Sequence, residues 1–403
     1  MRILVLSPIS PLPIFSGGRT RLYNITRQQA ARHEVTFVSF YRGDEEWQGL
    51  QALAQDLQIR VIPVAFQGKR SLLRHPGRDA LAVARNYGEA WLRRWPEAIP
   101  TWAQPAMFRA LQQEFAARSY DVMQVEWPYL APYALQPGRP PAALVMYDIL
   151  SVALERRAAL AHDAWMHTQA RRWHAYEQLI YPQFSWVAAM SEQDAALIRA
   201  QSADANVILS PNGVDTETLT PGEIREQAEN LLFVGSPTHA PNLDAACWLL
   251  QEVWPRLQAR NPHLKLTLVN LQHSTVLKCA EGQKNVHITG RLPELTPVYR
   301  QADVALAPLR AGSGTRLKIL EAFALGVPVV STRVGHEGLA VEAGKHLLVA
   351  DEATAFAAAI EQALQSASLR RTLAHHARLL AEQRYDWRHI VDEMDAAYAG
   401  LKT

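Results

Sequence analysis

Residues Pro308 to Val330 read PLRAGSGTRLKILEAFALGVPVV, and this stretch decides the fold. An apolar run ends just before it at Ala307, a loop carries Gly312 and Gly314, and a helix-patterned segment follows from about Arg316. Gly326 stops that helix and Val327 opens another short apolar run. Strand, glycine loop, helix and strand in that order make one parallel-sheet crossover. Glycines ahead of a helix let free backbone N–H groups approach an anion, and the helix dipole favours negative charge there. Arg316 and Lys318 stand in the first turn, where cations oppose the dipole unless something negative is bound. The stretch therefore reads as a dock for a pyrophosphate, with Glu321 one turn further on as hydrogen-bond acceptor for a ribose diol. A plain Lys318–Glu321 ion pair at i,i+3 is the alternative reading of the same residues.

Outward from this stretch the same pattern repeats. Upstream runs at Leu231–Gly235, Leu264–Val269, Val286–Thr289 and Val304–Ala307, and downstream runs at Val327–Ser331 and Leu347–Val349, alternate with helical segments. A separate series fills the first half: Ile3–Ser7, Glu34–Phe40, Arg60–Pro63, Val122–Glu126, Ala143–Tyr147 and Trp186–Met190. Two strand series separated by the turn residues Ser210–Asp215 predict two α/β domains, 1–217 and 218–385, each a doubly wound parallel sheet. In such sheets ligands bind beyond the carboxyl ends of the strands, so the two domains are expected to face one another there across a cleft.

Composition supports an ordinary folded protein. The 403 residues exceed what one core serves, and 48% hydrophobic with 20% charged residues is the globular norm. No run approaches the roughly 20 apolar residues of a spanning helix. Pro8, Pro11 and Pro13 break the N-terminal run before a secretory core is complete, which predicts a cytoplasmic protein. A net charge of +2 gives no reason to expect nucleic acid as a partner. The two cysteines, Cys247 and Cys279, belong to no metal-ligand spacing, and neither a disulfide nor a metal site is expected.

The glycine-loop segment resembles the nucleotide-binding signature of glycosyltransferase family 4, the retaining GT-B enzymes, in a GTRLKILEA form. Gly17-Gly18, His33-Glu-Val35, Met190-Ser-Glu192, Pro211–Asp215, Phe233-Val-Gly235 and Gly326–Val330 follow in the matching order along nearly the whole chain. The resemblance implies a GT-B fold of two Rossmann-like domains and a C-terminal helix, 386–403, crossing back to the first. It implies transfer of a sugar from a nucleotide-sugar donor with retention of anomeric configuration. The donor site would comprise Gly17, Gly18, Gly235, Ser313, Gly314, Thr315, Arg316, Lys318 and Glu321.

Three departures from the family pattern bear on chemistry. Glu321 matches the second glutamate of the E-x7-E motif, but Ser313 stands where the first belongs. After Gly235, where many members carry an arginine and a lysine, the run is Ser236-Pro-Thr-His-Ala-Pro-Asn242. Arg316 and Lys318 are therefore expected to supply the charge that a diphosphate leaving group needs. Tyr147 replaces a histidine; it and Asp148 are candidates for contacts to the sugar or acceptor, with a strand-capping tyrosine as the alternative.

In the first half, Glu126 ends a strand and is a candidate base or hydrogen-bond acceptor for the acceptor substrate. Arg19 and Arg21 open the first helix and are candidates to meet an anion. From Lys69 to Trp95, seven Lys or Arg stand against two acidic residues, with Leu72, Leu73, Leu81, Val83, Trp91, Leu92 and Trp95 interleaved. This segment suits either contact with an anionic membrane, bringing a lipid-linked acceptor within reach, or a solvated helix face. Protein cations and the helix dipole would replace a divalent ion, so no metal or other cofactor is expected. The acceptor is expected to be a polysaccharide, glycolipid or small molecule. An epimerase of the same architecture, or a binder of nucleotide sugars that has lost catalysis, remains open.

Overall fold

A computed structural model describes residues 1–68, 79–311 and 316–402. The chain divides into two compact units, Met1–Pro211 with Val391–Thr403, and Asn212–Ile390.

The first unit is built on a seven-stranded, wholly parallel sheet. Its strands are β1 (Arg2–Ser7), β2 (Glu34–Tyr41), β3 (Arg60–Ala65), β4 (Val122–Glu126), β5 (Ala142–Val145), β6 (Trp186–Ala189) and β7 (Val207–Leu209), in the order β3-β2-β1-β4-β5-β6-β7. Continuous apolar runs such as Ile3–Leu6 are fully buried, because crossover helices cover both faces of a parallel sheet. The strand order reverses between β1 and β4, and the crevice at the carboxyl ends of these two strands is the natural place for a ligand.

The second unit repeats the plan with six parallel strands: β8 (Asn230–Val234), β9 (Lys265–Val269), β10 (Val286–Ile288), β11 (Val304–Ala307), β12 (Val329–Ser331) and β13 (Leu348–Val349). Their order is β10-β9-β8-β11-β12-β13, which places the reversal between β8 and β11. The glycine-loop stretch leaves the end of β11 at this second crevice.

The structure departs from the sequence reading in four respects. β7 escaped notice because it is only three residues long and half-exposed at the sheet edge. β5 ends at Val145, so Tyr147 lies in the following loop. The seam between the units falls at Pro211, before the boundary drawn at 217. Residues after it pair with the second unit: Val214 N donates to Tyr385 O at 2.7 Å, Trp387 N to Val214 O at 3.3 Å, and Thr216 to the Asp386 carboxylate. Finally, Cys247 and Cys279 are joined as a disulfide, with Cα atoms 5.4 Å apart, which corrects the expectation of free thiols. Sequence spacing concealed it because helices Ala240–Trp248 and Ser274–Cys279, from different crossovers, pack side by side and carry one cysteine each.

Candidate nucleotide and acceptor sites

In the second unit, helix Leu317–Ala324 buries Ile319, Leu320, Ala322, Phe323 and Ala324, which leaves Lys318 and Glu321 half-exposed on its other face. Gly326 ends the helix at φ +70°, a conformation that favours glycine. Arg316 occupies the N-cap position, is only 7% exposed, and directs Nη2 to the carbonyl of Val334 at 3.3 Å. Lys318 reaches away from its own helix. Its Nζ donates to Asn242 Oδ1 at 3.0 Å and lies 4.6 Å from the Phe233 ring centroid. Burial, together with the Arg316 charge, brings its pKa down to about 7 against an opposing pull from Glu321.

Glu321 does not close an ion pair with Lys318. The Tyr299 hydroxyl lies 3.1 Å from Glu321 Oε2 and 3.0 Å from the Lys318 carbonyl. Burial pushes the Glu321 carboxyl up to about 7, offset in part by the Tyr299 hydrogen bond and by Lys318. Just before the glycine loop, Arg310 forms a bidentate pair with Asp244 at 2.6 and 3.1 Å. Helix Ala240–Trp248 thus holds the residue entering the loop through Asp244 and a residue leaving it through Asn242. Gly235 has a packing reason of its own, since a Cβ there would come within 2.6 Å of Leu271. Ser313, Gly314 and Thr315 lie outside the described residues.

In the first unit, the carboxyl ends of β4 and β5 meet the start of helix Gly17–Ala30, which Ser16 caps through Arg19 N. A Cβ on Gly18 would stand 3.4 Å from Trp127 Cζ2 and 3.7 Å from Tyr147 Cε1. Tyr147 and Trp127 stack face to face, with centroids 3.7 Å apart and planes 9° apart. Trp127 holds this pose at φ +71°, a strained backbone for a bulky residue. Glu126 is 2% exposed and accepts a hydrogen bond from Gln124 through Oε1. Its Oε2 and the Tyr147 hydroxyl are buried, near enough to interact electrostatically, and neither completes a hydrogen bond of normal geometry. Burial raises both groups above their ordinary pKa values. Gly17 is exposed at the helix start and Asp148 half-buried beside Tyr147.

The arginines of this helix are engaged otherwise than expected. Arg19 pairs with Glu46 at 2.7 Å, and Arg21 is buried with Nη1 on the Pro211 carbonyl at 2.5 Å and Nη2 on Ser210 Oγ at 2.7 Å. Arg21 nonetheless belongs to the Glu126 cluster, its guanidinium carbon 5.7 Å from the Tyr147 ring centroid. The structure therefore gathers Gly18, Glu126 and Tyr147 in one unit, and Arg316, Lys318 and Glu321 in the other. Sequence reading passed over Asn242, Tyr299 and Gln124; only their side-chain contacts in the fold mark them.

Comparison with known proteins bears on the fold and on the second unit. Residues 228–366 match the family described as Glycosyl transferases group 1. The match falls wholly within the second unit. A stretch of 112 residues, 27% of this chain and 26% of its relative, is 37% identical to D-inositol 3-phosphate glycosyltransferase of Corynebacterium urealyticum. The chain's match spans less than half the length of the curated relatives. Among solved structures, sucrose-phosphate synthase from Thermosynechococcus elongatus superposes with a TM-score of 0.71 at 17% identity, covering 100% of this chain and 99% of that one. Anabaena HepE in complex with UDP gives 0.69 at 17% identity, covering 99% and 100%. The chain has the GT-B fold. The matched segment begins two residues before β8 and spans the residues from Gly235 to Glu321.

Proposed function

We propose that the protein is a glycosyltransferase that moves a sugar from a nucleoside-diphosphate-sugar donor to a carbohydrate or lipid-linked acceptor, retaining anomeric configuration. The observation that carries this reading is the position of Lys318. Its ammonium stands on Asn242, beside the Ser236–Asn242 run from which the family's usual cations are absent. Two cations, Arg316 and Lys318, are partly desolvated together near a helix start; a diphosphate there offsets their repulsion and stabilises the leaving group as the glycosidic bond breaks. Glu321, held by Tyr299, accepts from the ribose. These protein charges do the work of a divalent ion, and the reading requires no metal cofactor.

The first unit serves the acceptor. Glu126 Oε2 and the Tyr147 hydroxyl are the polar atoms that an incoming hydroxyl would satisfy, with Asp148 beside them and Gly17-Gly18 closing over the Tyr147–Trp127 stack. Helix Ala80–Leu92 exposes Leu81 (86%), Trp91 (78%) and Leu92 (75%) next to Arg85, Arg93 and Arg94, a composition suited to peripheral contact with an anionic inner membrane face. The Lys69–Arg78 part of that basic segment lies outside the described residues. Among the described residues no helix is long and apolar enough to cross a membrane. A cytoplasmic enzyme of cell-envelope polysaccharide or glycolipid assembly fits these features.

The test is calorimetric titration of UDP, GDP, ADP and TDP into wild type and Arg316→Ala with chelator present. One diphosphate should bind, and the substitution should cost about 1.5–3 kcal/mol, the range of a charge-assisted hydrogen bond. No binding by any of them, or equal binding by both proteins, overturns the donor site.

A further inference from the structure

The buried polar groups beneath Glu126 form a directed chain that ends on the last helix. Gln124 sits one pleat before Glu126 on β4, with its side chain fully buried. Its amide oxygen accepts two hydrogen bonds, one from Gln29 Nε2 at 2.7 Å and one from the Tyr398 hydroxyl. In this orientation all three contacts are made together: the amide oxygen takes the Gln29 and Tyr398 donors, and the NH2 faces Glu126, whose ionised carboxylate can only accept. The NH2 is thereby committed to Glu126 Oε1, to which it donates. The opposite oxygen, Oε2, is left facing the Tyr147 side. Tyr398 is itself wedged against Trp186 of β6, with ring centroids 5.1 Å apart.

The helix bearing Tyr398 is fastened to the first unit at its surface as well. His33 Nε2 meets Asp395 at 2.8 Å, and Arg32 meets Asp392 at 2.5 Å and Asp395 at 3.3 Å. This exposed clasp fixes the helix; the interior contact does something a clasp does not require. A phenylalanine would fill nearly the same volume, whereas the hydroxyl adds a hydrogen bond to Gln124.

We propose that Tyr398 is a positioning residue for Glu126, acting through Gln124 so that one carboxylate oxygen is tied down and the other is presented to the acceptor hydroxyl. This rests on the reading of Glu126 as the group that meets the acceptor. The groups facing Glu126 are Gln124 on its own strand, Arg21 from helix Gly17–Ala30, Tyr147 from the loop after β5, and Tyr398 from helix Trp387–Ala399. Burial disfavours the ionised carboxylate and prevails, while donation from Gln124, the Arg21 charge and Tyr147 favour it. When Tyr398 no longer holds Gln124, the amide is free to turn and the carboxylate loses its donor.

The test is carboxyl 13C NMR on full-length protein carrying 13C-labelled glutamate, with the Glu126 signal assigned by its loss in Glu126→Gln. In Tyr398→Phe the titration midpoint of Glu126 should move up by about half a pH unit or more. Gln29→Met, which removes the other donor to Gln124, should move it in the same direction and provides a second measurement should Tyr398→Phe fold poorly. An unchanged midpoint in a folded variant overturns the proposal. The readout needs no substrate, so it stands apart from whether the glycosyltransferase reading holds. Where turnover is measurable, the acid limb of kcat should shift by the same amount with donor KM unchanged; a change in donor KM alone overturns the positioning role.

Discussion

The ammonium of Lys318 and the side-chain oxygen of Asn242 lie 3.0 Å apart, joining the helix after the glycine loop to helix Ala240–Trp248. A lysine with a pKa near 7 is about half charged at neutral pH, and a bound diphosphate favours the charged form. Diphosphate affinity should therefore fall as pH rises from 7 to 9 in wild type, with protons taken up on binding. Lys318→Arg, charged throughout that range, should flatten the dependence. Titrations in buffers of different ionisation enthalpy read both effects, and a wild-type affinity independent of pH would count against a lysine poised near neutrality.

Glu321 should distinguish nucleoside from phosphate. Glu321→Gln is expected to weaken the bound nucleoside diphosphate by about 1–3 kcal/mol while leaving the affinity for inorganic pyrophosphate nearly unchanged. Competition between the two ligands measures this, and an equal loss for both would remove the carboxylate from the ribose.

Trp127 gives a backbone test. At φ +71° glycine is at ease and alanine is not, so Trp127→Ala should be less stable than Trp127→Gly by about 1 kcal/mol. Both lose the stack on Tyr147, and both should lose transfer activity. Urea denaturation of the pair decides, and equal stabilities would mean that the strain relaxes without cost.

The Cys247–Cys279 bond closes a loop of 32 residues, for which the chain-entropy argument gives about 2–4 kcal/mol. Reductant should lower the urea midpoint of wild type. The same reductant should leave Cys247→Ser where it was, and a reductant-insensitive wild type would show that the bond is not formed in solution.

Acid should loosen the second unit at the seam. Burial alone would raise the Asp386 carboxyl, but hydrogen bonds from Arg388 and Thr216 hold it at about 2. Its folded pKa lies below the ordinary value near 4, so its contribution is full above about pH 4 and is lost as pH falls through 2. Allowing for solvent screening, about 1–2 kcal/mol should disappear over that window in wild type and be absent from Asp386→Asn. Parallel acid unfolding curves for the two proteins would refute this.

The order of strands and helices was legible because parallel strands buried on both faces leave uninterrupted apolar runs, and because glycines and prolines mark their ends. Arg316 and Lys318 stand out in the sequence for a related reason, since a cation pair in a first helical turn conflicts with local electrostatics; the fold sets Glu321 beside them. Asn242, Tyr299, Gln124 and Tyr398 present no such conflict. They are ordinary residues for their elements, and they acquire a role only when β-strand register and helix packing bring distant segments together. The disulfide was hidden in the same way. Arg19 and Arg21 misled, since a helix start rich in arginine resembles an anion site until Glu46 and the Ser210–Pro211 carbonyl and hydroxyl are seen to occupy them.

The seating of Tyr398 against Trp186 and Gln124 also bears on the order of events at the ribosome. Most of the first unit precedes the second along the chain, yet it lacks a core element until Val391–Tyr398 has been synthesised. The second unit, Asn212–Ile390, is contiguous and needs nothing made after Ile390. A chain truncated just after Ile390 should carry a protease-resistant second unit beside a first unit more open to cleavage, the reverse of the usual vectorial sequence of N-terminal folding.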